Sequence, residues 1–257
     1  DYDLTFGRRW SLTRGALDTA VAVGGAFEHP GGPFFGTFFF DPELSAMIKR
    51  RIRTLTEEQL DPNAMAARVQ QLAAATRADA VADRAIWGTY GGAADPTAEA
   101  NRIIDAFVVP QYQRLLGSFA NQGRVARTSQ PAVPNVSFER VDYYGVEQVV
   151  LRNHSGDTVD LSGFTIPELD FLIPGGTVLL PGRSVVFAHE DADRLAGRYP
   201  GSLIGGVFEE SVFDAEHGLT LRNRAGTTVA VHDLVPPAQM TPIEADPNRS
   251  ALVSLVA

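Results

Sequence analysis

Hydrophobic positions recur every three or four residues in the first half of the chain and every second residue in the rest. In DPELSAMIKRRIRTL, residues 41–55, Leu44, Met47, Ile48, Ile52 and Leu55 stand at helical spacing. Asp41 is a favourable N-cap, and Pro42 suits the first helical position, where a missing N–H costs no intrahelical bond. The same Asp-Pro pair recurs at Asp61-Pro62, ahead of Met65, Val69 and Leu72, and at Asp95-Pro96, ahead of Ile103, Ile104, Phe107 and Val108. The spacing therefore predicts three helices. Pro110 is expected to break or kink the third, with YQRLLGSFANQG continuing it to Gly123.

After residue 134 the period changes to two. Short runs such as VSFERVDYY, EQVVLRN, GTVLL, RSVVFAH, GLTLRN and TTVAVHD alternate with Gly, Pro and Asn turns. Seven or eight short strands at this spacing predict an antiparallel sandwich. DADRLAGRYPG is expected to interrupt them with one or two helical turns. RVARTSQPAVP, residues 124–134, reads as a linker by composition. Ahead of the first helix, GGAFEHPGGPFFGTFFF is too rich in glycine and proline for a regular helix or central strand. It reads as a loop whose phenylalanines pack under the helices.

Composition narrows the class. A chain of 257 residues with 44% hydrophobic and 21% charged residues has the make-up of a globular protein large enough for its own core. No apolar run approaches the ~20 residues of a membrane helix. The absence of cysteine excludes disulfides and thiolate metal sites. Residues 1–125 carry 13 basic and 14 acidic groups, against 9 and 17 in residues 126–257, so the net charge of -9 sits almost wholly in the second half. That acidity disfavours nucleic acid as a partner.

Candidate chemistry is sparse. The chain opens DYDLTFG. If this stretch is extended, Asp1 and Asp3 face the same side and both carboxylates can reach one cation. Mg²⁺ is commonly held by one or two carboxylates together with substrate phosphates. The basic run Lys49, Arg50, Arg51 and Arg53, preceded in sequence by Arg8, Arg9 and Arg14, reads as a solvated helix face balanced by Glu57 and Glu58. His29, His154, His189, His217 and His232 form no metal-ligand spacing and read as surface or turn residues. The acidic stretches HEDAD, 189–193, and FEESVFDAE, 208–216, lack the EF-hand pattern. They read as helix capping by Asp191 and a solvated loop. No G-x-S-x-G nucleophile elbow occurs.

The stretch EQVVLRNHSGDTVDLSGFTI, residues 147–166, resembles the lamin-tail domain, an immunoglobulin-like sandwich. Val149 and Leu151 share a strand face, Asn153 and Gly156 supply a turn, Val159 and Leu161 point inward, and Gly163 bends the chain before Phe164. The resemblance continues through IPGGTVLLPGRSVVF and GLTLRNRAGTTVAV, covering roughly residues 136–256. DYDLTFG, the aromatic loop and three helices ending in VVPQYQRLLGSFANQG resemble the C-terminal part of CotH-type proteins, atypical secreted or spore-coat kinases. This second resemblance covers residues 1–123. It implies that Asp1 and Asp3 hold the metal that carries ATP phosphates, with catalytic residues and a further lobe upstream of Asp1.

The expected fold class is α+β in two domains. Residues 1–123 form a helical kinase-lobe-like segment, 124–134 a linker, and 135–257 an all-β immunoglobulin-like sandwich. The resemblances imply a fragment of a secreted bacterial protein at the cell surface or in an extracellular assembly. The sandwich would bind a protein or cell-surface partner. No cofactor is expected in this chain alone; Mg²⁺ and ATP are implied if the kinase-like domain is complete and active. The alternative is a Mg²⁺/ATP-dependent protein kinase whose N-terminal lobe precedes residue 1.

Overall fold

The computed structural model describes residues 40–88, 96–142, 147–189, 204–212, 215 and 218–234. Helices and sheet both occur, so the chain is of the α+β class. It forms two compact units. One takes the residues up to Pro131 together with Asp157–Asp160; the other takes Ala132–Gly156 and the residues from Leu161 on.

In the first unit, α1 (Pro42–Gln59) and α2 (Pro62–Trp87) start where the Asp-Pro pairs predict. The Asp41 carboxylate accepts the Leu44 N–H at 2.8 Å. Asp61 accepts those of Asn63 and Ala64 at 3.1 and 3.0 Å. Each cap satisfies first-turn donors that have no intrahelical acceptor. The third helix begins at Pro96; Asp95, its expected cap, lies outside the described residues.

Pro110 does not break this third helix. α3 (Pro96–Ile103) runs into a π-helical turn at Ile104–Val108, then α4 (Val109–Gln113), then a second π-helical turn at Arg114–Phe119. The Val109 N–H reaches back five residues to the Ile104 carbonyl. The wider turn leaves room for a ring that would otherwise meet the carbonyl of the preceding turn. The helix ends as expected at Gly123, whose φ is +69°. The Gly123 N–H bonds the Ala120 carbonyl and the Arg124 N–H bonds the Phe119 carbonyl, both hallmarks of a Schellman cap. The Arg124 guanidinium lies 5.4 Å from the Phe119 ring centre, closing the cap with a cation–π contact. Phe119, Leu115 and Val125 form the apolar cluster here, with Ile52 of α1 packed against it.

The strands are β1 (Val136–Asp142), β2 (Gln148–Asn153), β3 (Val159–Asp160), β4 (Thr165–Ile166), β5 (Phe171–Leu172), β6 (Val178–Leu179), β7 (Ser184–His189), β8 (Ile204–Phe208), β9 (Leu219–Arg222) and β10 (Thr228–His232). The second unit is built on two four-stranded sheets, ordered β1-β2-β7-β8 and β10-β9-β4-β5. Val149 pairs with Phe187 and Leu151 with Val185 across β2 and β7, and all four side chains are fully buried. Ile166, Leu219 and Leu221 of the other sheet are buried equally deeply. Phe171 meets Phe187 edge-on at 5.1 Å and Phe208 at 5.9 Å, tying the two sheets together. Fully burying each such side chain contributes about 1.5–3 kcal/mol.

The sandwich departs from the all-antiparallel expectation at one edge: β8 runs parallel to β7. Parallel neighbours need a crossover of about a dozen residues or more, and residues 190–203 provide that length. Glycine permits the approach. A Cβ on Gly205 would stand 2.4 Å from the Phe187 ring and 2.5 Å from Val185. β2 is also buried on both faces, because Val150 joins Val186, Ala188 and Ile204 in a second, outer cluster.

Candidate functional site

Asp1 and Asp3 lie outside the described residues, as do Arg8, Arg9, Arg14, the aromatic stretch up to residue 39, His29, His217, Asp191 and the DADRLAGRYPG segment. Among the described residues, no group of three or more His, Cys, Asp or Glu side chains could hold a metal ion. Polar arrangements among the described residues occur at the basic run of α1, at two asparagine corners and along the rims of the sandwich.

The basic run is not a solvated face. Arg50 and Arg53 are 5% and 9% exposed, while Leu44, Met47, Ile48 and Ile52 are only half-buried and Leu55 is exposed. The polar side of α1 turns inward because it meets backbone acceptors. Arg50 Nη1 donates to the Thr128 carbonyl at 2.8 Å. Arg53 Nη1 donates to the carbonyls of Ala126 and Arg127 at 3.3 and 3.2 Å, and its Nη2 to Ser129 Oγ at 3.1 Å. Glu57, expected to balance the run, accepts from Arg53 Nε and from Ser129 Oγ, each at 2.5 Å. Residues 126–129 of the segment with linker-like composition are thus pinned to α1. Burial pushes the Arg50 guanidinium below its ordinary pKa, against the pull of Asp157 and Glu57.

Arg51 reaches the fully buried Asp160 carboxylate at 3.0 Å. Gln130 brackets the same residue: its amide nitrogen donates to the Asp160 carbonyl at 3.0 Å, and its amide oxygen accepts the Asp160 N–H at 2.7 Å. One glutamine side chain thereby does for Asp160 what a neighbouring strand would do. These bonds hold Asp157–Asp160 within the first unit.

In the second unit two asparagines organise corners. Asn153 is fully buried; its nitrogen donates to the carbonyls of Leu179 and Leu180 at 3.2 Å, and its oxygen accepts from the Ser155 N–H at 3.0 Å. Asn223 donates to the Ala132 carbonyl at 2.7 Å and accepts the N–H groups of Ala225 and Thr227. Turn chemistry predicts Asn153 but not Asn223. The signal was available: Leu151-Arg152-Asn153-x-x-Gly156-x-Thr158-Val159 recurs as Leu221-Arg222-Asn223-x-x-Gly226-x-Thr228-Val229. Gly163, at φ +74°, makes the predicted bend before the buried Phe164, over whose ring the Arg224 guanidinium sits at 5.4 Å.

The described histidines all have partners. His154 shares a 2.8 Å hydrogen bond with Ser137, His189 one of 2.8 Å with the Glu209 carbonyl, and the His232 ring lies 5.9 Å from Phe138. His189 and His232 are the last residues of their strands. Glu147 accepts from Ser211 Oγ and from the Val212 N–H at 2.6 Å, so acidity near the 208–216 stretch is spent on a loop anchor. Glu139 of β1 accepts from Ser184 and from Arg152. Those two hydrogen bonds, the Ser184 bond foremost, hold its carboxyl below the ordinary range. The rims of the sandwich are β1 and β8 in one sheet and β10 and β5 in the other, with Leu172, Val207 and Val231 exposed on the last three. No described helix is long and apolar enough to cross a membrane.

Residues 1–108 match the family model described as CotH kinase protein, so this part of the chain is similar to CotH-type proteins. No curated protein matches the chain.

Proposed function

We propose that the chain is part of a secreted CotH-like bacterial protein and that its β unit is a binding or anchoring module of the lamin-tail, immunoglobulin-like type. The observation that carries this reading is the division of the chain. A CotH-type segment comes first, and a unit with its own sealed apolar core follows. A sandwich with that core leaves its rim strands and corners for recognition. Strand rims take partners by backbone pairing. The partner is a protein or a cell-surface component; the acidic second half argues against nucleic acid. Fractionating source cells tests the reading. Recovery with the extracellular or surface fraction is expected, and recovery in the cytosol overturns it.

A second reading, a Mg²⁺/ATP-dependent protein kinase, is favoured by the family match, which includes the DYD stretch. The Asp1 and Asp3 carboxylates are the donor type Mg²⁺ prefers and would carry nucleotide phosphates with it. Magnesium-dependent ATP turnover by the intact protein, lost in Asp3→Ala, supports this reading. Unchanged turnover in both Asp1→Ala and Asp3→Ala rejects these residues as the site.

A further inference from the structure

The inward side of α1 holds two guanidinium groups against four consecutive residues of a segment with no strand or helix of its own. The acceptors are the carbonyls of Ala126, Arg127 and Thr128 and the Ser129 hydroxyl. Three of these four bonds come from one side chain, Arg53. Its planar fork reaches several acceptors at once, which a lysine ammonium on its single point of charge does less well. Glu57 closes the arrangement into a ring, because Oε1 accepts from both Arg53 and Ser129. Arg53 is buried with Glu57 as its counter-charge, and bonds from a shielded cation are stronger than neutral ones.

We propose that residues 126–129 are a latched strap, with Arg53 as the latch and Glu57 as the group that holds it closed. Loss of Arg53 removes the donors of Ala126, Arg127 and Ser129 together, leaving the strap on the Arg50 bond to Thr128 and the Ala126 N–H bond to the Lys49 carbonyl. The functional consequence of the latch is control of cleavage by an arginine-specific serine protease. The Arg127 side chain is exposed and available to such a protease. The carbonyl of the bond to be cut, Arg127–Thr128, is itself held by Arg53 Nη1 at 3.2 Å. Gln130, the next residue, binds Asp160, so the strap is followed at once by a second anchor.

Limited trypsin digestion of the full chain, with each cut timed by mass spectrometry, tests the latch. The Arg127–Thr128 bond reports on the strap and the Arg77–Ala78 bond, midway along α2, reports on unfolding of the helices. Cleavage of a transiently opened segment tracks the population of the open form. Arg53→Gln removes a charged donor set and should speed cleavage at Arg127–Thr128 by about tenfold or more. The rate at Arg77–Ala78 should be unchanged. Glu57→Gln should speed the same cut by a smaller factor and also spare Arg77–Ala78. An Arg53→Gln rate at Arg127–Thr128 equal to that of the unaltered chain overturns the proposal. Equal acceleration of both cuts also overturns it, since the helices would then be unfolding rather than the strap releasing.

Discussion

The two units are held together in different ways. Every fully buried large side chain among the described residues lies in the β unit: Phe164, Phe187, Phe208, Leu151, Leu161, Ile166, Leu169, Ile173, Leu179, Leu219 and Leu221. In the helical unit the most deeply buried residues of α1 are Ser45, Arg50, Arg53, Thr54 and Thr56. Thr54 and Thr56 return their hydroxyls to the carbonyls four residues back, and the arginines take the strap. The sandwich is stabilised by removing apolar surface from water, which is non-directional and tolerant of small shifts. The helical unit adds to its smaller apolar cluster the directional bonds of shielded charges on α1, each of which fails when one partner is lost. The first mode suits a module that must stay folded while its rims bind. The second suits a segment that can let go.

The sharpest way to widen the contrast is to empty the sandwich core. Phe187→Ala removes a ring that meets Phe171 and lies against Gly205, and should cost about 3–5 kcal/mol. Urea denaturation followed by near-ultraviolet circular dichroism should show the midpoint of the β unit falling while the helical signal holds.

Next in size is Arg53→Ala. It takes the guanidinium from Glu57, which keeps Ser129, and the donor from two carbonyls, and should favour opening of the strap by roughly 2–3 kcal/mol, read from the rate of the Arg127–Thr128 cut while helical ellipticity against urea holds. An unchanged rate would mean that Arg53 does not hold the strap. Asp61→Ala, which deletes the cap of α2, should cost about 1 kcal/mol, read from helical ellipticity against urea.

The smallest effect is a pH dependence in the β unit. The Glu139 carboxyl titrates below its ordinary value of 4.5, chiefly through its bonds from Ser184 and Arg152. A carboxyl with a lowered folded pKa adds stability above the unfolded value and loses it as pH falls through the folded one. The unaltered β unit should therefore weaken as the solution is acidified below about pH 4.5, and Glu139→Gln should flatten that part of the curve.

What the sequence makes legible follows the range of the interactions. Asp41 and Asp61 are readable as caps because their acceptor and donor lie within one turn. Gly123 is readable as a terminator for the same reason. Val149 and Leu151 are readable as core because period two needs only neighbours along the strand. Arg53 is misread because its acceptors stand 73 to 76 residues further along the chain, so helix spacing alone makes its side look solvated. The parallel β8 is missed because alternation shows a strand but not its direction, and Gly205 gains meaning only beside Phe187. Pro110 looks like a break because the remedy, a turn one residue wider, leaves no mark in the apolar pattern. The acid pair Asp1 and Asp3 is conspicuous in the sequence and lies outside the described residues.

Hydrogen exchange on the full chain tests the contrast between the units most directly. If the β unit is sealed by its core and the strap by a latch, the Leu151 and Phe187 amides should exchange only through global opening of the sandwich. Amides of residues 126–129 and of α1 should exchange faster, by local opening. Exchange of both sets at a single rate, or α1 amides that outlast those of β2 and β7, would contradict it.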